Sequence, residues 1–283
     1  METWKIGDVT VTRVVDVLQD IDLTLLLPDA TAENLDPLRS WLLPHFLNKD
    51  GTAPLSIHTF VIRSEDATIL VDTCIGDDKP RAMPEWNMRQ SEFLSDLIKV
   101  GAPREAVDVV LCTHLHVDHV GWNTMRVDDA WVPTFPHANY LFGRDEWSYW
   151  KDEDDPFGAD AKQDSILPII ESDLVTLVDS DHVVTPEVRL VPTPGHTPGH
   201  VSVLIESGGA RAIVTGDLFH HPVQFAHPSW LDIADVQSEI AQSSRIDFMQ
   251  RFGGKDTLVL GTHFASPTGG HITREGDGYR FEV

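Results

Sequence analysis

The chain has 283 residues, of which 41% are hydrophobic and 23% are charged. This is an ordinary globular composition, and we expect a single domain over residues 1–283. Its 45 acidic and 21 basic residues give a formal net charge of −24. So acidic a surface argues against nucleic acids and anionic membranes as partners, because both attract basic surfaces.

The sequence shows no sign of export or of membrane insertion. No apolar run approaches the ~20 residues that span a bilayer. The first residues lack the basic and apolar regions of a signal peptide. The two cysteines, Cys74 and Cys112, are too few for a disulfide framework. We therefore predict a soluble, cytoplasmic protein.

Residues 1–50 form a predicted N-terminal extension. A strand is predicted over 9–17, an apolar run follows at 23–27, and an apolar helix is predicted over 38–47, where Pro44 kinks or ends it. The dense apolar cluster in the last segment has three interpretations: core packing, a lid over the site, or a dimer contact. A homodimer is therefore one expected assembly.

From residue 55 the pattern changes to strands that alternate with helices. A hairpin is predicted from strands at 57–62 and 68–71 around the polar turn 64–66. Further strands are predicted at 107–112, 188–191, 201–205, 212–215 and 258–260, and helices at 91–100 and 232–252. The acidic stretch 150–168 is predicted to be a solvated loop. Together these elements indicate an α/β fold with buried sheets.

One segment, residues 114–119, has the sequence His-Leu-His-Val-Asp-His. Three imidazoles and one carboxylate directly after a buried strand would be costly to bury without a partner. Histidine and carboxylate are the side chains that suit zinc and similar first-row metals. We therefore interpret this segment as part of a metal site.

Four of the predicted strands run into a histidine or an aspartate. These residues are His114, His196, Asp217 and His263. Ligands of α/β proteins bind in the crevice beyond the carboxyl ends of the strands. Glycines beside three of the four residues permit sharp turns and close backbone approach. We therefore expect the four side chains to converge.

The ordered motifs HxHxDH at 114–119, GHTPGH at 195–200, GD at 216–217 and GTH at 261–263 resemble those of the metallo-β-lactamase superfamily. The resemblance extends from about residue 55 to the C-terminus. It implies an αβ/βα sandwich of two mixed sheets flanked by helices, with two metal ions at one edge of the sheets. Zinc is the first choice, and manganese, iron or cobalt would accept the same donor atoms.

The resemblance also implies a ligand set of five histidines and two aspartates. The first metal would be held by His114, His116 and His196, the second by Asp118, His119 and His263, and Asp217 would bridge the two. Asp72 matches a family carboxylate that orients a ligand. His200 is expected to pack or hydrogen-bond behind His196.

Departures from other branches of the superfamily narrow the function. The best-known β-lactamases of this type carry cysteine where this chain has Asp217, which argues against antibiotic hydrolysis. Flavodiiron proteins carry glutamate in place of His116, and glyoxalase II has a C-terminal helical domain, whereas 20 residues follow His263 in this sequence. The acidic surface disfavours nucleases, and the complete second ligand set disfavours persulfide dioxygenases. The nearest branch then contains N-acyl-homoserine lactonases and methyl-parathion-hydrolase-like phosphotriesterases.

This branch implies hydrolysis of a small, neutral, ester-like substrate. A hydroxide bridging the two metals would attack a lactone or an aryl ester or, as the alternative, a phosphotriester. Asp118 is expected to pass a proton to the leaving group. Many lactonases carry a tyrosine shortly after the bridging aspartate, and His220 is our candidate for the residue that replaces it and acts on the substrate. The His-x-x-x-Gln pattern of residues 220–224 is closer to the phosphotriesterases.

The substrate pocket is predicted to be largely apolar, which suits a neutral substrate. Its expected residues are Trp122, Phe219, His221, Phe225, Trp230 and Phe264. The sequence lacks the GxSxG, GxxxxGK[ST] and GxGxxG motifs of serine hydrolases, nucleotide hydrolases and dinucleotide-binding enzymes. A di-iron redox enzyme and a metal-binding protein without activity remain as two further alternatives.

Overall fold

The computed structural model describes residues 1–153, 161–276 and 278–283. The strands among these residues are, in chain order, β1 (Thr3–Ile6), β2 (Val9–Ile21), β3 (Ala53–Ser64), β4 (Ala67–Val71), β5 (Val109–Leu111), β6 (Thr124–Val127), β7 (Ala130–Pro133), β8 (Asn139–Gly143), β9 (Val175–Val178), β10 (Val183–Thr185), β11 (Val188–Pro192), β12 (Val201–Ser207), β13 (Ala210–Val214), β14 (Leu258–Leu260), β15 (Gly269–Glu275) and β16 (Gly278–Glu282). The predicted hairpin is confirmed as β3 and β4.

Two mixed sheets of seven strands each contain most of these strands. The first has the order β1-β2-β3-β4-β5-β8-β9 and the second the order β10-β11-β12-β13-β14-β15-β16. In the first sheet, β4, β5, β8 and β9 pair in parallel, and the other neighbours are antiparallel. In the second sheet, only the β13–β14 pair is parallel among the described strands. Strands β6 and β7 form a separate antiparallel pair.

Eight α-helices lie among the described residues. They are α1 (Ala32–Leu35), α2 (Arg39–Leu42), α3 (Phe93–Lys99), α4 (Val117–Val120), α5 (Arg144–Trp150), α6 (Leu167–Glu171), α7 (Val223–Ala226) and α8 (Ser238–Phe252). Short 3₁₀ turns occur at Leu23–Leu25, Asp36–Leu38, Arg104–Ala106, Gly121–Asn123 and Gly216–Leu218, and a π-helical turn at Lys162–Ile166. Within the described part of the chain, none of the helices is long and apolar enough to cross a membrane.

Three hydrophobic layers hold the sheets and helices together. Alternate residues of a strand point to opposite faces, so Phe60 and Ile62 of β3 pack between the two sheets while Val61 packs outward. Likewise, Val214 of β13 lies between the sheets and Ile213 lies on the outer face. Helices cover both outer faces, which confirms the predicted αβ/βα sandwich.

The N-terminal segment is built into both the first sheet and an outer core. Strand β2 pairs along its length with β3. Leu27, Leu42 and Phe46 are buried against residues of the second sheet and of α8. The predicted helix over 38–47 is shorter than expected, because α2 ends at Leu42 before Pro44. The apolar cluster thus packs in the core, while other residues of the segment reach the candidate site.

Two predicted elements differ from the structure. The helix predicted over 232–252 begins only at Ser238, because Asp232 and Asp235 instead receive hydrogen bonds from backbone N–H groups in tight turns. The loop predicted over 150–168 is wrong where residues 161–168 are helical. Asp164 is buried there in ion pairs with Arg81 and Lys79. Residues 154–160 of that prediction lie outside the described residues.

Candidate metal centre

The predicted ligands follow strands of both sheets and lie close together in the structure. His114 follows β5 of the first sheet, whereas His196, Asp217 and His263 follow β11, β13 and β14 of the second sheet. Because the carboxyl ends of these strands lie at the same edge of the sandwich, the four side chains meet there. Helix α4 begins directly after His116 and carries Asp118 and His119 to the same point.

One carboxylate oxygen, Asp217 Oδ2, lies at the centre of the cluster. The Nε2 atoms around it are those of His119 at 3.1 Å, His263 at 3.1 Å, His196 at 3.6 Å, His114 at 3.7 Å and His220 at 3.0 Å. Asp217 itself is 2% exposed, so these atoms face one another away from bulk water. The position suits a ligand shared between two ions.

The donor atoms fall into groups that could each hold a divalent ion. His114, His116 and His196 form one group, and Asp118, His119, Asp217 and His263 form another. Asp217 and His196 also form a group with His220. The structure therefore brings all seven sequence-predicted ligands together and adds the ring of His220 beside them.

The polar atoms of the cluster fit bound metal ions. Within the described part of the chain, the buried atoms His114 Nε2 and Asp217 Oδ1 have no hydrogen-bond partner, a state that is costly unless a ligand satisfies them. Burial and the neighbouring His119 lower the pKa of His114 well below its usual value, which leaves a neutral imidazole able to bind metal. A cation would also offset the charge of the buried carboxylates.

Asp72 orients His119 through hydrogen bonds. Its Oδ2 lies 3.0 Å from His119 Nδ1, and its Oδ1 accepts the backbone N–H of Thr113 at 2.7 Å. Asp72 follows β4 with a positive φ of 59°, a conformation in which aspartate is one of the better-tolerated residues. The carboxylate leaves Nε2 of His119 directed at the cluster of candidate ligands.

His200 positions the backbone of Asp217 rather than packing only against His196. Its Nε2 accepts the backbone N–H of Asp217 at 2.8 Å, so its Nδ1–H must donate, and Thr193 O lies 2.9 Å away. Burial lowers the pKa of His200 to about 3, consistent with a neutral ring. Gly216 is required beside it, because a Cβ there would lie 2.4 Å from His200 Nε2.

Two aspartates that sequence reasoning missed support the other histidines. Asp235 Oδ1 lies 3.3 Å from His196 Nδ1, and its Oδ2 accepts a hydrogen bond from Arg245 at 2.7 Å. Asp232 Oδ2 lies 3.2 Å from His220 Nδ1. Their sequence signal is two aspartates three residues apart, in a stretch whose pattern predicts a helix and not a site.

Glu146 of α5 was also missed, and it joins two ligand loops. Its Oε1 accepts the N–H of Leu115 at 3.0 Å and that of the Trp150 indole at 2.7 Å. Its Oε2 accepts the hydroxyl of Thr197 at 2.7 Å and the N–H of Gly199 at 3.0 Å. The carboxylate therefore fixes the loop of His114 and His116 against the loop of His196.

A cavity of about 450 Å³ opens onto the cluster. Its polar wall contains Asp118, the most exposed of the ligands with 14% of its side chain exposed. The residues of its largely apolar wall are Ile21, Leu25, Leu26, Leu55, Ala82, Met83, Pro84, Trp86, Ile233 and Ala234. The N-terminal segment thus supplies part of the cavity wall.

The aromatic residues that we expected in the pocket lie elsewhere. Trp122 stacks on Phe93 in the core outside the first sheet, with ring centroids 5.4 Å apart. The others pack in or against the core outside the second sheet, namely Phe219, His221, Phe225, Trp230 and Phe264. None of these six lines the cavity described above. Proximity in sequence to a ligand did not indicate which face of the backbone each ring would occupy.

The fold and ligand set are those of a family of metal-dependent hydrolases. Residues 52–263 match the metallo-beta-lactamase superfamily model, and the chain belongs to that superfamily. An N-acyl homoserine lactonase from Bacillus sp is 26% identical over 204 residues, which cover 67% of this chain and 74% of the relative. A probable metallo-hydrolase, YybB, from Bacillus subtilis (strain 168) is 26% identical over 213 residues, 74% of this chain and 81% of that protein.

Solved structures share the same fold over nearly the whole chain. One is the dizinc quorum-quenching lactonase AidC in complex with the product N-hexanoyl-L-homoserine. It aligns with a TM-score of 0.81 at 20% identity and covers 99% of this chain and 96% of its own. The match extends beyond the motifs to the N-terminal strands.

Proposed function

We propose that this protein is a binuclear hydrolase of small, neutral, ester-like substrates, with lactones and aryl esters as the first class. The single observation that carries the proposal is the convergence of seven predicted ligands, with Asp217 at their centre, at the floor of a largely apolar cavity. Zinc is the proposed metal, since nitrogen and carboxylate donors suit it. The lactonase names of several relatives support the choice of substrate.

The size and chemistry of the cavity favour a compact, uncharged substrate. About 450 Å³ is enough for a ring and a short apolar arm. The net charge of −24 acts against anionic substrates by long-range repulsion. Leu25, Met83 and Ile233 on the wall would cover an apolar arm and exclude water from it.

Two bound divalent ions would supply Lewis acidity and lower the pKa of a shared water toward ~7. Asp118 faces the cavity, with its Oδ2 3.5 Å from His263 Nε2 and 3.6 Å from His119 Nε2. The other carboxylate oxygen of Asp118, Oδ1, remains available to accept a proton and pass it to the leaving group. We propose Asp118 as a catalytic residue on this basis.

His220 is proposed as the second catalytic residue. Its Nδ1 faces Asp232, which leaves Nε2 directed toward the cluster, 3.0 Å from Asp217 Oδ2. Burial acts to lower the pKa of His220, but Asp232 and Asp217 raise it to about 9. The ring can therefore donate a hydrogen bond from Nε2 to a substrate oxygen that gains negative charge.

The pattern that pointed to phosphotriesterases has a structural explanation. Gln224 Oε1 accepts the backbone N–H of His220 at 2.8 Å, and its Nε2 donates to Trp230 O at 3.1 Å. The glutamine thus holds the loop that carries His220 and does not reach the cavity. Gln224 therefore gives no reason to prefer phosphotriesters to carboxylic esters. Phosphotriesters remain the second class of proposed substrates.

A substrate panel tests this proposal. We expect the metal-loaded protein to hydrolyse γ-lactones with kcat/KM of ~10⁴ M⁻¹s⁻¹ or more, aryl esters comparably, and phosphotriesters less well. His220→Ala should lower kcat on lactones while both metals stay bound. Values below ~10 M⁻¹s⁻¹ for all three classes, far under the range of working enzymes, would show that the substrate class is wrong.

A further inference from the structure

Gln19 is a polar side chain in the apolar part of the cavity wall. Successive residues of β2 face opposite sides, so Gln19 and Ile21 face the cavity. Asp20, between them, faces the other side and accepts a hydrogen bond from Asn48 at 2.9 Å. The register of the strand therefore directs Gln19 toward any molecule bound in the cavity.

The orientation of the Gln19 carboxamide is fixed by Trp86. The indole N–H of Trp86 lies 3.3 Å from Gln19 Oε1. Because an indole nitrogen can only donate, the carboxamide oxygen must face Trp86, and the NH₂ group faces away. Among the described residues, that NH₂ group has no hydrogen-bond partner. Gln19 thus offers hydrogen-bond donors in a largely apolar part of the cavity wall.

The strand pairing places Gln19 at a distance from the reacting centre. Gln19 pairs with Leu55 across β2 and β3, and Leu55 pairs in turn with Phe264, the neighbour of the ligand His263. With neighbouring strands ~4.8 Å apart, the backbone of Gln19 lies about 10 Å from that of the ligand loop. Its side chain therefore suits a group in the arm of a substrate, several bonds away from the bond that is hydrolysed.

We propose that Gln19, held by Trp86, determines specificity by donating a hydrogen bond to a carbonyl oxygen in the arm of the substrate. The inference rests on the proposed function and names its substrate class, lactones or esters whose apolar arm carries an amide or ketone carbonyl. An all-carbon arm would leave the N–H groups of Gln19 buried without a partner. The same side chain therefore selects against plain alkyl lactones.

Two lactones with the same ring but different arms distinguish recognition of the arm from hydrolysis of the ring at the proposed metal site. N-hexanoyl-homoserine lactone carries an amide carbonyl in its arm, and α-hexyl-γ-butyrolactone carries an all-carbon arm on the same ring atom. We expect the wild type to prefer the first. Gln19→Met, which keeps the length and removes the donors, should lower kcat/KM for the first about 5–10-fold, mainly through KM. The value for the second should change less than about twofold.

Two further variants control for changes to the strand and to the wall. Trp86→Phe keeps an aromatic ring but frees the carboxamide, and it should lower the same preference by a smaller factor. Asp20→Asn, on the opposite face of β2, should leave the preference unchanged. Equal losses on both lactones in Gln19→Met, or no loss on either, would overturn the inference, as would a wild type without preference. A wild type inactive on both lactones would instead overturn the proposed function.

Discussion

At the scale of single residues, Asp217 is a buried carboxylate surrounded by imidazole rings. Five imidazole nitrogens lie within 3.7 Å of its Oδ2. Burial acts to raise the pKa of Asp217, but His119, His263 and His220 hold it well below its usual value. A neutral carboxamide of the same shape would leave the geometry intact and remove the charge that two cations share.

Asp217→Asn should therefore lose both metals and nearly all activity. We expect metal content, measured by elemental analysis after gel filtration, to fall from about two ions per chain to less than one. Asp179→Asn, which changes a carboxylate with 76% of its side chain exposed, serves as the control and should retain both ions. Near-normal metal content and activity in Asp217→Asn would remove this residue from the site.

The effect of replacing Asp118 on kcat is expected to depend on the leaving group of the substrate. A p-nitrophenolate leaves without a proton, whereas an alkoxide needs one, so Asp118→Asn should slow alkyl esters ~10²–10⁴-fold and p-nitrophenyl esters much less. The measurement is kcat for a series of esters whose leaving-group pKa is varied, in wild type and variant at equal metal content. A parallel loss across the series would leave Asp118 with a ligand role only.

At the scale of elements, α5 determines how two ligand loops meet. Burial raises the pKa of Glu146, and four hydrogen bonds, three from the two loops and one from Trp150 of α5 itself, act to lower it. In Glu146→Gln, the NH₂ group cannot accept, so two of those donors lose their acceptor. We expect the affinity for the ion proposed at His114, His116 and His196 to fall about 10–100-fold.

Competition with a chromogenic chelator measures this loss for each ion. The second ion, proposed at Asp118, His119 and His263, should be affected less, and Asp145→Asn on the exposed side of α5 should affect neither. Equal weakening of both ions, or of neither, would show that Glu146 has no specific influence on the first group.

A second element depends on a buried ion pair. Asp164, in the π-helical turn Lys162–Ile166, accepts hydrogen bonds from Arg81 at 2.7 and 3.0 Å and lies 3.3 Å from Lys79 Nζ. Asp164→Asn would leave two buried cations without an anion. We expect the free energy of unfolding in urea to fall by about 3–5 kcal/mol. Breaking the exposed Arg144–Asp179 pair should cost only about 0–1 kcal/mol, and a similar small loss in Asp164→Asn would contradict this account.

At the scale of the whole molecule, local motifs predicted the site well because four of the ligands lie within four residues of the end of a strand. His114, His196 and His263 could be placed by a pattern of a few residues each. Residues that act across long sequence separations could not be placed. Gln19 reaches the cavity only because β2 pairs with β3, and Asp235 reaches His196 through a turn that resembled the start of a helix.

The aromatic pocket residues show the limit of sequence reasoning most directly. Phe219 and Phe264 lie beside ligands in the sequence, but side chains of adjacent residues point in different directions. Asp217 and His263 face the cluster, while the neighbouring rings fill the core outside the second sheet. Only the tertiary packing shows that the cavity wall comes instead from the N-terminal segment, from residues 81–86 and from residues 232–234.

The proposed hydrolysis of a lactone by two metal ions requires both ions to be bound. Its most direct test is kcat/KM for a γ-lactone, measured as zinc is titrated into protein from which a chelator has removed all metal. We predict activity that rises to its maximum only as the second equivalent binds, because the ligands form two groups and Asp217 Oδ2 lies within 3.7 Å of imidazole nitrogens of both. Full activity at one equivalent, or no lactone hydrolysis at any zinc content, would contradict the account.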